Sequence, residues 1–122
     1  MKFHDMPYER VDFDQVEKAF EELKKSFAAA RSAEEQFEIH QKYYELRTRT
    51  DTMITLAQIR HDGDVTDAFY NAEQDYYDQM GPKYSNMIIE YQKLLYESPY
   101  RDGLEERIGR VAFKNMELAR KS

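Results

Sequence analysis

The sequence predicts an all-α fold, and three observations carry this prediction. Apolar residues recur every three or four positions along most of the chain, which places them on one face of a helix. Turn-forming residues are scarce, with 4 Gly and 3 Pro among 122 residues. No segment shows the strict alternation of a half-buried strand. We therefore expect four helices arranged as two long antiparallel hairpins in a single domain, residues 1–122.

The first part of the chain predicts an extended arm followed by a helix. Residues 1–11 are polar, contain Pro7 and several aromatic residues, and form the arm. The first helix is expected over about residues 12–30, with Asp12 as its N-cap. Its apolar stripe has steps of three and four residues: Phe13, Val16, Phe20, Leu23 and Phe27.

The second helix is predicted over about residues 32–61. Ser32 and Glu35 have the spacing of a capping box, which marks a helix start. The apolar residues widen to more than one face, so we expect this helix to pack against more than one neighbour. Its end is expected between Arg60 and Gly63, where the sequence HDGD supplies turn residues.

The third helix is predicted over about residues 64–97, with Asp64 as its N-cap. Its stripe continues in phase past Gly81 and Pro82, which favours a helix kinked at Gly81-Pro82 over a complete break. The stripe consists of Val65, Phe69, Ala72, Tyr76, Met80, Tyr84, Met87, Tyr91 and Leu94. Ser98 and Pro99 are typical of an N-cap and a first helical position, so the fourth helix is expected over about residues 98–120.

Composition and charge exclude several classes of protein. The net charge of −6 argues against binding to a nucleic-acid backbone, which needs a basic surface. The absence of Cys excludes disulfides, thiol catalysis and zinc sites built on Cys. The apolar runs are too short to cross a membrane, and the first ten residues lack the apolar core of a secretory signal. A helical, intracellular domain is expected.

No metal site is predicted. The three histidines, His4, His40 and His61, are too far apart for the H-E-x-x-H pattern of a helical zinc site. None of them has Glu three positions earlier, as a di-iron helix bundle requires. His40 is interpreted as a surface or interface residue, and His61 as a residue at the end of a helix, where the helix dipole favours it.

A partial match to a calcium loop is also rejected. Asp62, Asp64, Thr66 and Glu73 fall at positions 1, 3, 5 and 12 of an EF-hand loop. Position 6, which must be Gly, is Asp67. Residues 65–73 also carry a helical stripe, which a loop would interrupt.

The 10 tyrosines are the most distinctive feature, and most of them fall in the second and third predicted helices. Tyr buries its ring while its hydroxyl stays near polar groups, which suits the edge of a core or a contact surface. Two interpretations stay open, namely core and interface packing or the lining of a peptide-binding site. Tyr76, Tyr77 and Tyr84 are the candidates for inter-domain or channel-facing contacts. No catalytic or cofactor-binding residue is predicted, since the sequence has no nucleophile elbow and no Gly-rich phosphate loop.

Two segments of the chain resemble a known family. The opening, MKFHDMPYERVDFDQVEKAF, is similar to the start of bacterial oligoendopeptidase F-type zinc metallopeptidases, which are relatives of thimet oligopeptidase. The segment from Asp51 to Asn86, DTMITLAQIRHDGDVTDAFYNAEQDYYDQMGPKYSN, resembles the N-terminal region of the same family. The resemblance extends over essentially the whole chain.

The resemblance implies a function that lies mostly outside this chain. Members of the family are cytosolic, all-helical enzymes that cleave short peptides with one zinc ion inside a deep channel. Their N-terminal helices form a wall or lid of that channel. Their H-E-x-x-H motif and third zinc ligand, a Glu, lie far downstream, so no catalytic or metal-binding residue is carried onto any position here.

Two functions remain open from the sequence. The first is the non-catalytic N-terminal segment of such a peptidase, whose partners are the remainder of the enzyme and its oligopeptide substrate. This function implies an apolar, aromatic face through which the isolated chain could self-associate. The alternative is a stand-alone helical interaction module with no enzymatic activity.

Overall fold

The structure, a computed structural model, describes residues 6–121, with side chains to residue 118. This range forms five α-helices and contains no strand, which confirms the all-α prediction. The helices are α1 (Phe13–Ala29), α2 (Ala33–Gly63), α3 (Ala68–Tyr96), α4 (Arg101–Ile108) and α5 (Arg110–Lys121). Residues 7–12 form no regular element and lead into α1. His4 and the beginning of the predicted arm lie outside the described residues.

The first two helices begin at the capping residues that the sequence indicates. The Asp12 carboxylate accepts hydrogen bonds from the backbone N–H groups of Asp14 and Gln15, at 3.0 and 3.3 Å. The Ser32 hydroxyl accepts from the backbone N–H of Glu35 at 3.1 Å, and the Glu35 carboxylate accepts from the N–H of Arg31 at 2.7 Å. These bonds satisfy N–H groups that have no partner within the helix.

The three long helices form a bundle whose core residues are spaced seven apart. In α1, α2 and α3 they are, respectively, Phe13, Phe20 and Phe27; Gln36, Tyr43, Thr50 and Ala57; and Tyr77, Tyr84 and Tyr91. A seven-residue spacing keeps one seam of each helix facing its neighbours, as in a coiled coil. α2 runs antiparallel to α1 and α3, so the long helices form two hairpins that share α2.

Ring contacts between the helices arrange these core residues in successive layers along the bundle. Phe13, Phe20 and Phe27 contact Tyr77, Tyr84 and Tyr91 in the same order, at centroid distances of 6.1, 6.4 and 5.7 Å. Tyr43 of α2 stacks on Tyr91 at 3.8 Å and meets the Phe20 ring edge-on at 5.7 Å. Edge-to-face and offset aromatic pairs add to the free energy of burial, so the core depends largely on ring packing.

The predicted start of the third helix is wrong by three residues. The N-cap is Asp67, whose carboxylate accepts from the N–H groups of Phe69 and Tyr70. Asp64 does not cap α3, because its carboxylate accepts hydrogen bonds from the backbone N–H and the hydroxyl of Thr66, at 3.0 and 2.6 Å. These bonds hold a turn between α2 and α3.

The face predicted for the first half of α3 is also corrected. Phe69 is 55% exposed and Val65 is 64% exposed, whereas Glu73 and Tyr77 are buried. Before Gly81, the face of α3 that carries Glu73 and Tyr77 points to the core. Glu73 can be buried there because the arm supplies polar partners for its carboxylate. α3 is one helix from Ala68 to Tyr96 and includes Pro82, while the kink stays a prediction.

The predicted fourth helix is two helices. Gly109 separates α4 from α5 with φ of 113°, a backbone conformation that favours glycine. The N-cap of α4 is Tyr100 and not Ser98, and Tyr100 makes no side-chain capping bond. The Ser98 hydroxyl accepts from the backbone N–H of Tyr100 at 3.0 Å and donates to the Gln36 side chain, so it holds the turn that precedes α4. Leu104 is fully buried where α4 packs on α2.

Candidate interaction site

The structure separates the three tyrosines predicted as contact residues. Tyr77 and Tyr84 are only 6% and 8% exposed, so their rings lie in the bundle core. The Tyr84 hydroxyl donates to an Asp51 carboxylate oxygen at 2.7 Å, and burial raises the pKa of Tyr84. Tyr76 is half-buried and packs at the edge of the core. Tyr76 is thus the most accessible of the three, and their inter-domain or channel-facing role stays a prediction.

A cluster of polar side chains joins the arm to α3 beside Tyr76. We call it the Glu73 cluster, and it consists of Tyr8, Arg10, Glu73 and Tyr77. The Tyr8 hydroxyl donates to a Glu73 carboxylate oxygen at 2.7 Å and lies 2.7 Å from the Tyr77 hydroxyl. Arg10 donates from Nε to both Glu73 oxygens, at 2.9 and 3.1 Å, and its terminal nitrogen also contacts the carboxylate.

The same part of α3 also binds the arm backbone. The Val11 N–H donates to the Tyr77 hydroxyl at 3.0 Å, and the Val11 carbonyl accepts from the Tyr76 hydroxyl at 2.8 Å. Because the Tyr8 hydroxyl donates its hydrogen bond to Glu73, the Tyr77 hydroxyl is the donor in the bond between the two phenols. One chain of hydrogen bonds therefore leads from the Val11 backbone to the carboxylate.

The electrostatics of the cluster keep Glu73 ionised. Glu73 is 2% exposed, so an unpaired charge there would be strongly unfavourable. The Arg10 guanidinium has the largest effect and lowers the pKa of Glu73. The Tyr8 hydroxyl lowers this pKa further, although burial alone would raise it. Arg10 also stacks on the Tyr76 ring, with 4.4 Å from its guanidinium carbon to the ring centre. No local pattern of the sequence points to this cluster, because nothing near Glu73 along the chain marks it as buried.

A second cluster in the bundle contains His40 of α2. His40 Nδ1 lies 3.1 Å from the Tyr91 hydroxyl, and the His40 ring stacks on Tyr91. Burial lowers the pKa of His40, so the neutral imidazole is favoured in the fold. The predicted interface role fits this position, since His40 joins α2 to α3.

A groove runs along α1 and α2 on the side away from α3. Two adjoining cavities of about 330 and 380 Å³ form it and share Ala19, Leu46 and Arg49. Its apolar side chains are half-buried and include Leu23, Ile39, Leu46 and Met53. Ile39 and Met53 lie 14 residues apart, or about 21 Å along a helix. The α1/α2 groove therefore has the length and lining that an amphipathic helix needs.

The described residues do not fit a zinc or calcium site. Within residues 6–121, no three His, Cys, Asp or Glu side chains converge as metal ligands. Glu73 of the partial calcium pattern is paired with Arg10, and Asp64 is held by Thr66. No helix in the described range is long and apolar enough to cross a membrane.

Comparisons with known proteins agree with this fold. The sequence matches the family described as Peptidase M3 N-terminal domain over residues 3–122. An oligoendopeptidase F crystal structure at 3.1 Å matches with a TM-score of 0.92, 39% identity and 96% of this chain covered. PZ peptidase A with an inhibitor gives a TM-score of 0.92 at 34% identity, with 95% of this chain covered.

An oligoendopeptidase F from Bacillus anthracis gives a TM-score of 0.92 at 34% identity, with 96% of this chain covered. The matched part is 21%, 21% and 22% of those three chains, respectively, so this chain spans about a fifth of their length. No curated protein matches the sequence. Since the family match extends from residue 3 to residue 122, the chain belongs to the Peptidase M3 N-terminal domain family.

Proposed function

We propose that this chain is the non-catalytic N-terminal segment of an oligoendopeptidase F-like zinc peptidase that cleaves short peptides in the cytoplasm. In this proposal its helices form a wall or lid of the substrate channel. The observation that carries the proposal is the match of nearly the whole chain to about a fifth of each peptidase. The remaining four-fifths of such an enzyme would supply the catalytic residues.

The residues of this segment support a structural role in that enzyme. The histidines in the described range are engaged otherwise, since His40 contacts Tyr91 and His61 lies 3.3 Å from an Asp62 carboxylate oxygen. In this proposal the zinc ion is bound by the rest of the peptidase, where it would polarise the scissile carbonyl and activate water. This segment would limit the channel to short, unfolded substrates.

The α1/α2 groove supports contact with the rest of the peptidase. Its apolar residues are aligned over about four helical turns, which is the usual length of a packed helix. Charged residues border it, with Glu22 on the α1 side and Lys42 and Arg49 on the α2 side. A helix with acidic residues along one edge and basic residues along the other would complement these borders.

The deciding experiment measures the native product in its source cell. An antibody against this segment captures the protein, and its intact mass and zinc content are determined. We expect a product several times larger than 14.7 kDa that carries one zinc ion. A metal-free product of 14.7 kDa would overturn the proposal and favour the stand-alone interaction module.

A further inference from the structure

The segment from Tyr8 to Val11, which we call the strap, is attached to the bundle in an unusual way. Among the described residues, it makes no backbone-to-backbone hydrogen bond. Its backbone is held instead by the side-chain hydroxyls of Tyr76 and Tyr77. The side chains of Tyr8 and Arg10 meet at the Glu73 carboxylate. The attachment of the strap therefore depends on side-chain contacts, while Arg60 of α2 holds the carbonyl of Met6 just before it.

The Glu73 carboxylate is the centre of this set of side-chain contacts. It accepts hydrogen bonds from both Tyr8 and Arg10, and through Tyr8 it is connected to Tyr77. Charge-assisted hydrogen bonds are about twice as strong as neutral ones. Loss of the negative charge would weaken the Arg10 contact directly and the rest of the set through Tyr8.

The bundle has its own attachments, which do not involve the strap. α1 begins after the strap with its own cap at Asp12, and its core side chains start at Phe13. The contacts of Phe20 and Phe27 with α2 and α3 lie one and two layers further along. Segments with few buried apolar groups open at lower free energy than a packed core. The strap buries one core side chain, Val11.

We propose that the strap detaches from α3 as a unit while the helix bundle stays folded, and that Glu73 is the latch that holds it closed. Detachment uncovers an aromatic surface at this end of α3. That surface combines Tyr76 and Tyr77 with Phe69 and Tyr70, which now contact the Tyr8 ring at 6.2 and 5.8 Å.

Hydrogen exchange of single backbone amides in the 122-residue chain tests the proposal. The Val11 amide reports on the strap, because it donates to Tyr77, and the Tyr43 amide in the middle of α2 reports on the bundle. We expect Val11 to exchange faster than Tyr43 and to depend less on urea, because strap opening exposes little surface. Equal exchange free energies and equal urea slopes would overturn the proposal.

Two substitutions on α3 test the latch itself. Glu73→Gln keeps the shape and removes the charge, so we expect about 10- to 100-fold faster exchange at Val11 with a smaller change at Tyr43. Asp75→Asn is the matched control, because it makes the same chemical change at an exposed position two residues away and leaves both rates within about twofold. An equal acceleration at both amides in Glu73→Gln would contradict a separate latch.

A second variant covers the case in which Glu73→Gln fails to fold, as judged by circular dichroism. Tyr8→Phe removes the hydroxyl that joins Glu73 to Tyr77 and keeps the aromatic ring. We expect it to accelerate Val11 exchange by about 3- to 30-fold, and Tyr43 exchange by less. Unchanged exchange at Val11 would show that the cluster does not hold the strap.

Discussion

The tyrosines of the core are tolerated because each hydroxyl has a partner. Tyr84 donates to Asp51, and Tyr91 lies in hydrogen-bond distance of His40. Tyr77 is bonded to Tyr8 and to the Val11 backbone. A buried hydroxyl without a partner would cost about 1–3 kcal/mol. The bundle can therefore bury rings that carry polar atoms without the penalty that such atoms usually bring.

The burial of His40 predicts a dependence of stability on pH. Burial lowers the pKa of His40 from 6.5, so the unfolded chain binds more protons than the folded chain below that pH. The contribution of neutral His40 to the free energy of unfolding should be complete above pH 6.5 and should be lost as the pH falls towards 5. Urea unfolding at pH 7.5 and pH 5.0 measures this difference.

The variant His40→Gln isolates the histidine in that measurement. Gln keeps a group that can bond to the Tyr91 hydroxyl and does not titrate. We expect a smaller loss of stability between the two pH values than in the unsubstituted chain. If both proteins lose the same free energy of unfolding, His40 is not the source of the dependence.

At the scale of elements, Gly109 decides where the last helix is divided. Its φ of 113° is strained for any residue with a side chain, and nothing lies within 4 Å of an added Cβ. We expect Gly109→Ala to lower the free energy of unfolding by about 1–3 kcal/mol. Urea unfolding monitored by circular dichroism gives the value.

Gly63 provides the matched control for that prediction. It also lies at a helix end with open space around the Cβ position, but without a positive φ. Gly63→Ala should therefore change the free energy of unfolding by no more than about 0.5 kcal/mol in the destabilising direction. Equal losses in the two variants would mean that backbone conformation is not what requires Gly109.

Gly103 is required for a different reason, because α4 approaches α2 closely there. A Cβ at Gly103 would lie 2.6 Å from the Cβ of Ala33, and a contact this short forces the helices apart. We expect Gly103→Ala to cost about 1–3 kcal/mol in the free energy of unfolding. In an Ala33→Gly background the same substitution should cost less, and an unchanged cost would exclude this contact as the cause.

At the scale of the whole molecule, α4 completes the core that the three long helices leave open at one end. Leu104 is 0% exposed, so Leu104→Ala should cost about 2–5 kcal/mol. Val111→Ala, at a residue 72% exposed, should stay within about 0.5 kcal/mol. Thermal and urea unfolding compare them, and similar losses for both would contradict the packing of α4 on α2.

The sequence by itself determined the fold class and the positions of most helices. Hydrophobic periodicity and capping are local, so the stripe from Phe13 to Phe27 and the capping residues Asp12 and Ser32 could be identified without any tertiary information. The family resemblance likewise depends on contiguous residues. These features are encoded within a few helical turns.

Only the tertiary structure decided which polar residues are buried and which tyrosines are exposed. Glu73 faces the core because Arg10 and Tyr8, more than 60 positions earlier, neutralise and bond it. Ser98 is buried because the side chain of Gln36, 62 positions earlier, accepts a hydrogen bond from its hydroxyl. In both cases the favourable partner comes from a distant part of the chain. Burial of a polar group depends on that partner, which no local pattern contains.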